Sequence, residues 1–205
     1  MATKYGFSNI REGLVEDLKD AYPTKWEDFE TAKVLGEDIF GSPKPHPNAV
    51  LNLLLEQSVK FALPFAAYRA AMGGFASLVS GEPNMALPRL TLAAIIYGTG
   101  EMRHTMTYGA QVIVYTLDLG VCADRTCVLN IGTNPMERRM EELEKISDVL
   151  IKNSGGDMLS PLSFGDLLCA DCARRLEDRH RDYRKRFAWD KLPCLFGWEN
   201  WECIS

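Results

Sequence analysis

Four of the six cysteines fall in two short-spaced pairs, Cys122-x4-Cys127 and Cys169-x2-Cys172, with 41 residues between the pairs. Cysteine in this pattern points to metal chemistry. A thiolate is a soft donor, and four of them satisfy the tetrahedral preference of zinc while rejecting harder cations such as magnesium and calcium. Each pair is expected to form a knuckle that grips one edge of the ion. With sulfur in all four positions no place is left for water, so the zinc implied by this pattern is structural and not catalytic. A coincidence of buried thiols is the simpler account, because C-x4-C is a weak signal and the connection is long beside a compact zinc ribbon. Cys194 and Cys203 have no near partner in sequence and read as core thiols.

Two other constellations could do chemistry. Glu101-x-x-His104 and Glu177-x-x-His180 repeat the spacing that places both ligands on one helical face in di-iron carboxylate bundles. Glu177 and His180, however, sit among Arg174, Arg175, Arg179, Arg181 and Arg184, the pattern of a solvated face, and no further pair of inward glutamates stands out. A di-iron enzyme is therefore the remote alternative. The stretch from Arg174 to Arg186 carries seven arginines and lysines against three acids, and 173–191 sums to +4 while the rest of the chain sums to -9. A basic helix beside a zinc knuckle, with Tyr183 and Phe187 interleaved, could grip phosphates. Glu177, Asp178 and Asp182 would repel them, and an alternating-charge helix is more often simply wet. For nucleophilic catalysis there is little material: the three histidines are scattered, and Gly98-Thr99-Gly100 lacks the later glycine and lysine of a phosphate loop.

The elements that must position these residues read as helices. Ile10, Leu14, Leu18 and Ala21 recur three or four apart between charged residues, and Pro23 ends that stripe. Thr24 with Glu27 is a capping-box signature before a helix that turns Trp26, Phe29, Ala32 and Leu35 inward. Gly41 to Pro47 is a proline-rich loop, with Pro47 suited to the first turn of a helix holding Leu51, Leu54 and their neighbours. Pro64 opens another over Phe65 to Ala76, weakened near its end by Gly73-Gly74. After the linker Gly81 to Asn84, Pro88 starts a helix for which Gly98 and Gly100 read as terminators. A helix from Glu101 follows, although Val112 to Tyr115 could equally form a strand. Met140, Leu143, Ile146 and Leu150 keep helical period over 136–151, Ala170 to Phe187 is a charged helix, and the end of the chain, Trp189 to Trp201, is an aromatic tail expected to dock on its own core.

The composition, 46% hydrophobic and 25% charged with a net charge of -5, suits a folded globule and argues against a whole-surface attraction to nucleic acid or anionic lipid. The apolar stretches are interrupted by proline, arginine and glycine and are too short to span a bilayer, and Met1 to Leu14 lacks the pattern of a secretory leader. The expectation is a soluble protein of the cytoplasm or nucleus, where six cysteines are metal ligands or buried thiols rather than disulfides.

The order of short motifs resembles the region downstream of the BTB/POZ fold in BTB-domain proteins of mushroom-forming fungi. The motifs are Lys4-Tyr5-Gly6-Phe7, Tyr22-Pro23-Thr24, His46-Pro47, Leu63-Pro64, the two cysteine pairs with the basic helix after Cys172, and Trp189-Asp190-Lys191-Leu192-Pro193 with Phe196-Gly197 and Trp201. The resemblance implies a helical, BACK-like extension and supports a cysteine cluster. The BTB fold itself, which dimerises and engages cullin-type ligases in such adaptors, is absent from this sequence, so neither property is carried over. The expected architecture is thus mainly α: a BACK-like helical subdomain over 1–100, and a zinc-stabilised subdomain with the aromatic tail over 101–205. Cys122, Cys127, Cys169 and Cys172 are its metal ligands. The expected function is non-catalytic interaction with an unidentified protein partner; the oligomeric state is left open.

Overall fold

Proline and its neighbours set where several helices begin. The computed structural model describes residues 8–35, 45–79, 86–115, 122, 124–130, 135–154 and 157–204, and among them the backbone is helical, with no strand. Helix α1 (Ser8–Ala21) runs into the turn at Pro23, and α2 (Trp26–Leu35) follows. The Lys25 carbonyl accepts from Phe29 N, so α2 is capped at Lys25, one residue later than the capping box over Thr24 and Glu27 requires. Helix α3 (Pro47–Glu56) starts with Pro47 as expected, and His46 Nδ1 accepts from Asn48 N at 3.2 Å. His46 Nε2 lies 3.1 Å from Ser77 Oγ, and the fully buried Asn48 donates through Nδ2 to Ser77 O at 2.8 Å. Both bonds tie the start of α3 to a later short helix.

That tie explains one departure from the sequence pattern. The helix expected over Phe65 to Ala76 is split into α4 (Leu63–Met72), entered from a 3-10 turn at Lys60–Ala62, and α5 (Phe75–Leu78). The break falls at Gly74, whose φ of 84° places it in the left-handed region that glycine alone adopts freely. Helix α3 packs against α4, whose Ala66, Ala67, Ala70 and Ala71 are all buried and let the helices approach closely. Phe65 of α4 gathers the aromatic core, with Tyr22 and Phe29 edge-on at 6.2 and 5.5 Å and Tyr68 stacked at 6.1 Å.

The larger departure is α6 (Arg89–Tyr115), 27 residues long. Gly98 and Gly100 do not end it, and Val112 to Tyr115 is helix, not strand. Two of its glycines are there for contact. A Cβ at Gly98 would lie 2.1 Å from the Leu195 carbonyl oxygen, and one at Gly109 would lie 1.9 Å from the Tyr183 ring. Gly100, by contrast, faces open space. A helix tolerates each glycine at a cost of about 1 kcal/mol, which close packing offsets.

Helix α7 (Met136–Ser154) buries Leu143, Ile146 and Leu150 as expected. Helix α8 (Ala170–Tyr183) continues as a π-helical turn, Arg184–Trp189, followed by α9 (Leu192–Leu195) and α10 (Trp201–Ile204). The chain divides into two units, Met1–Thr99 with Lys191–Ser205, and Gly100–Asp190. The tail expected to belong with 101–205 therefore groups from Lys191 onward with the N-terminal unit. Its reason is the seat at Gly98 and the packing of α9 on α4, which bury Leu192 and Phe196. The core of the second unit joins Ala110, Ile113 and Val114 of α6 with Leu143, Ile146 and Leu150 of α7 and Cys172, Ala173 and Leu176 of α8. The loop at Gly81 to Asn84, the segment 41–44 and the end of the loop at 155–156 lie outside the described residues.

The two kinds of glycine in α6 should respond oppositely to a methyl group. Gly109→Ala is expected to destabilise the fold by about 1–3 kcal/mol, because it must displace the Tyr183 ring. Gly100→Ala is expected to stabilise it by about 0.5–1 kcal/mol. Denaturant midpoints measured side by side check both, and equal effects would mean that Tyr183 does not pack on Gly109.

Candidate metal centre

The first cysteine pair sits in a loop built from two successive turns. Cys127 N donates to Asp124 O at 3.2 Å, and Asn130 N donates to Cys127 O at 3.0 Å. The Asp124 carboxylate accepts from Thr126 N at 2.8 Å and Thr126 Oγ1 at 2.7 Å, a local turn that a short acidic side chain favours. These bonds hold the Asp124 carboxyl below its usual range, with the Thr126 side chain the largest cause. Asn130, buried, closes the loop: its Nδ2 donates to the carbonyls of Cys122 at 2.8 Å and Asp124 at 3.1 Å. The sequence reading missed Asn130. Its only signal was an asparagine three residues beyond a cysteine in a loop rich in Asp and Thr.

The second pair is presented by a helix start. Cys169 is the N-cap of α8, and its carbonyl accepts from Ala173 N at 2.9 Å, which places Cys172 in the first turn. The positive end of the helix dipole therefore lies beside this pair. The approach to this start is fixed from the far side of α8, where Glu177 Oε1 accepts from Phe164 N at 2.9 Å, while Phe164 O accepts from Leu167 N and Leu168 N, both at 3.0 Å.

The two pairs meet. All four Sγ atoms of Cys122, Cys127, Cys169 and Cys172 lie within 4.8 Å of one another, and none of the cysteines is in a disulfide. Two of the separations cross between the pairs: Cys122 to Cys169 is 3.6 Å and Cys127 to Cys172 is 3.9 Å. Cys127 and Cys172 belong to the hydrophobic core of this unit, whereas Cys122 and Cys169 are half-buried at its edge. Arg175 lies against the cluster, its Nη2 donating to Cys172 Sγ at 3.2 Å.

The sulfurs do not share one acidity. Desolvation, followed by contact with Cys127 and Cys172, pushes the Cys122 thiol up. Desolvation also raises Cys172, against the pull of the Arg175 hydrogen bond. Cys127 is also desolvated, yet its thiol is drawn down because the backbone amides of Cys169 and Leu129 outweigh the burial. Four thiolates this close repel one another, so full ionisation of the group requires a cation among them. The donor set and its spacing can hold a metal ion. No known protein family, curated protein or solved structure matches the chain.

The remaining candidate residues are not brought together. Glu101 and His104 are exposed on α6. Glu177 is committed to Phe164 N, and His180 lies on the buried face of α8. Among the described residues the four cysteines are the only group of His, Cys, Asp or Glu placed to share an ion. Of the basic stretch, Arg184 is buried and donates through Nη1 to Leu159 O, and so is not part of an outer face. Arg174 and Arg181 pair with Asp171 at 2.7 Å and Asp178 at 3.2 Å, one turn back on α8. Cys194 and Cys203, expected as core thiols, are exposed. Both lie in short helices whose inward positions are taken by Leu192, Pro193 and Ile204.

His180 gives this unit a pH dependence. Burial, and then the charge of Arg184, lower its pKa from 6.5 to about 4. The unfolded chain therefore takes up a proton that the folded chain refuses, and stability is lost as pH falls from about 6.5 toward 4, up to about 3 kcal/mol. Above pH 6.5 the group contributes no slope. Comparing the pH dependence of unfolding free energy in the parent and in His180→Gln isolates this contribution. Parallel curves across that window would show that His180 is not held neutral in the fold.

Proposed function

We propose that the chain is a non-catalytic protein-interaction domain whose second unit is closed by one structural zinc ion held by Cys122, Cys127, Cys169 and Cys172. The single observation that carries this reading is the convergence of four sulfurs from two distant loops. A regular tetrahedron of thiolates with zinc–sulfur bonds of about 2.3 Å has edges of about 3.8 Å. The separations of 3.6 and 3.9 Å straddle that value. Thiolates suit zinc over oxygen-seeking cations, and with every position taken by sulfur the ion has no site for substrate or water. Such an ion links the 122–130 loop to the start of α8 and so closes a loop of about fifty residues, worth several kcal/mol to the fold.

Support for interaction comes from the surface of the same unit. A cleft of about 180 Å³ between the end of α6 and α7 has a floor of Val114, Met140 and Leu143 and a rim of Glu144, Ser147 and Asp148. Apolar floors with polar rims are the usual anatomy of a protein contact. Tyr108 and Val112 of α6 and Met136 of α7 are exposed besides. The order of motifs, which resembles the region downstream of the BTB fold in BTB-domain proteins of mushroom-forming fungi, supports the same reading, a segment that meets a partner rather than one that transforms a substrate.

Metal analysis of the purified chain is expected to give one zinc and no iron. A strong chelator is expected to lower the unfolding free energy by several kcal/mol and to loosen 100–190 first, read by amide exchange. Unchanged denaturation curves would remove the metal from the fold. A protein partner that binds the parent near one to one, and fails to bind Met140→Lys, supports the interaction. Salt-sensitive binding to mixed RNA and DNA, with no such partner, would replace it with a nucleic-acid function.

A further inference from the structure

A zinc ion bound by four thiolates leaves a local charge of -2, which half-buried surroundings make expensive. The backbone answers part of it, through the amides of Leu129 and Cys169 at Cys127 and through the dipole of α8. Arg175 is a side-chain cation placed to answer more of it. Arg175 lies one turn beyond Cys172 on the same face of α8 and brings Nη2 to 3.2 Å from Cys172 Sγ. Its neighbour Arg174 points away, to Asp171 at 2.7 Å, in a pair that is largely exposed on both sides.

The sulfurs themselves are unequal. Cys127 and Cys172 form a buried edge inside the hydrophobic core, while Cys122 and Cys169 form an edge that solvent reaches. A chelator or a competing thiol can attack only where it can approach, and so it meets the Cys122 and Cys169 sulfurs first.

Resting on the zinc reading above, we infer that Arg175 is a positioning residue of the metal centre: its guanidinium holds Cys172 as the anchoring ligand, so that the ion is given up through the Cys122 and Cys169 edge. A charged hydrogen bond to a ligand sulfur withdraws electron density from it and lowers the local negative charge. It also keeps the sulfur aimed at the ion after the outer ligands let go. Partners of this kind around metal ligands commonly set affinity by about 10–100-fold.

The test compares the parent with Arg175→Gln, Arg175→Lys and the control Arg174→Gln, each as the full chain loaded with zinc or cobalt(II). Arg175→Gln is expected to bind one ion still, with helix content unchanged, but to lose zinc to an excess of a coloured chelator about tenfold faster or more. Arg175→Lys is expected to fall between, since ammonium keeps the charge and loses the planar fork. The thiolate-to-cobalt charge-transfer band should move to lower energy in Arg175→Gln, because a sulfur without its hydrogen bond gives up an electron more easily. A purely structural effect on α8 would not move that band. Arg174→Gln should match the parent in both readings. Release rates and band positions equal in all four chains would overturn the inference while leaving the zinc reading intact. A parent chain that takes up neither metal would overturn both. If Arg175→Gln does not fold, the Lys variant alone decides, by its band position and release rate against the parent.

Discussion

The second unit depends on the meeting of four sulfurs. The 124–130 loop and the first turn of α8 share one apolar core, although Cys122 and Cys169 bury only part of their surface. Cys127 and Cys172 are different, because each is a member of the apolar core as well as of the cluster. Core packing thus brings one sulfur of each pair to the other, and the second sulfur of each pair follows because the local turns leave it no other direction. Burial sets the approach and the sulfur cluster sets the register.

The same economy governs α6. Length alone does not hold a helix of 27 residues together, and glycines weaken it. Gly98 and Gly109 are tolerated because Leu195 and Tyr183 come too close for any side chain there, and because Tyr183 Oη donates to Thr105 O at 2.9 Å once its ring is seated on Gly109. The ring is stacked in turn on Phe187 at 4.5 Å, in the π-helical turn that follows α8. A wider turn at this point carries the chain out of the regular α register, and Arg184 enters the interior there to reach the Leu159 carbonyl.

What could be read from the chain and what could not divide along physical lines. Helix starts at Pro47 and Pro64, the apolar face of α7 and the cysteine grouping follow from local chemistry, and the sequence carries that chemistry openly. Gly98 reads as a terminator and is not one, because glycine has two uses in a helix, ending it or admitting a neighbour. Only the neighbour decides between them, and Leu195 is almost a hundred residues away in the chain. The strand-like run at Val112 to Tyr115 failed as a signal for a similar reason: Ile113 and Val114 are buried against α7 and α8, and tertiary burial outweighs a β preference of about 1 kcal/mol. The tail was placed with the wrong half because aromatic content shows that a segment is buried and not against what. Asn130 was invisible because its function is to bind carbonyls, which every residue offers.

Charge is where sequence and structure part most. The excess of +4 over 173–191 suggests a basic face, yet the side chains that supply it have separate destinations. Arg184 goes to a backbone carbonyl in the core, Arg174 and Arg181 to acids one turn back, and Arg175 to a cysteine sulfur. An arginine buried against a carbonyl and another against a sulfur are both compensating for groups that burial has stripped of water. Part of what looks like a surface for an external polyanion is therefore committed to neighbours within the chain. The group that this helix most directly serves is one the protein builds itself, the four cysteine sulfurs gathered where the helix begins.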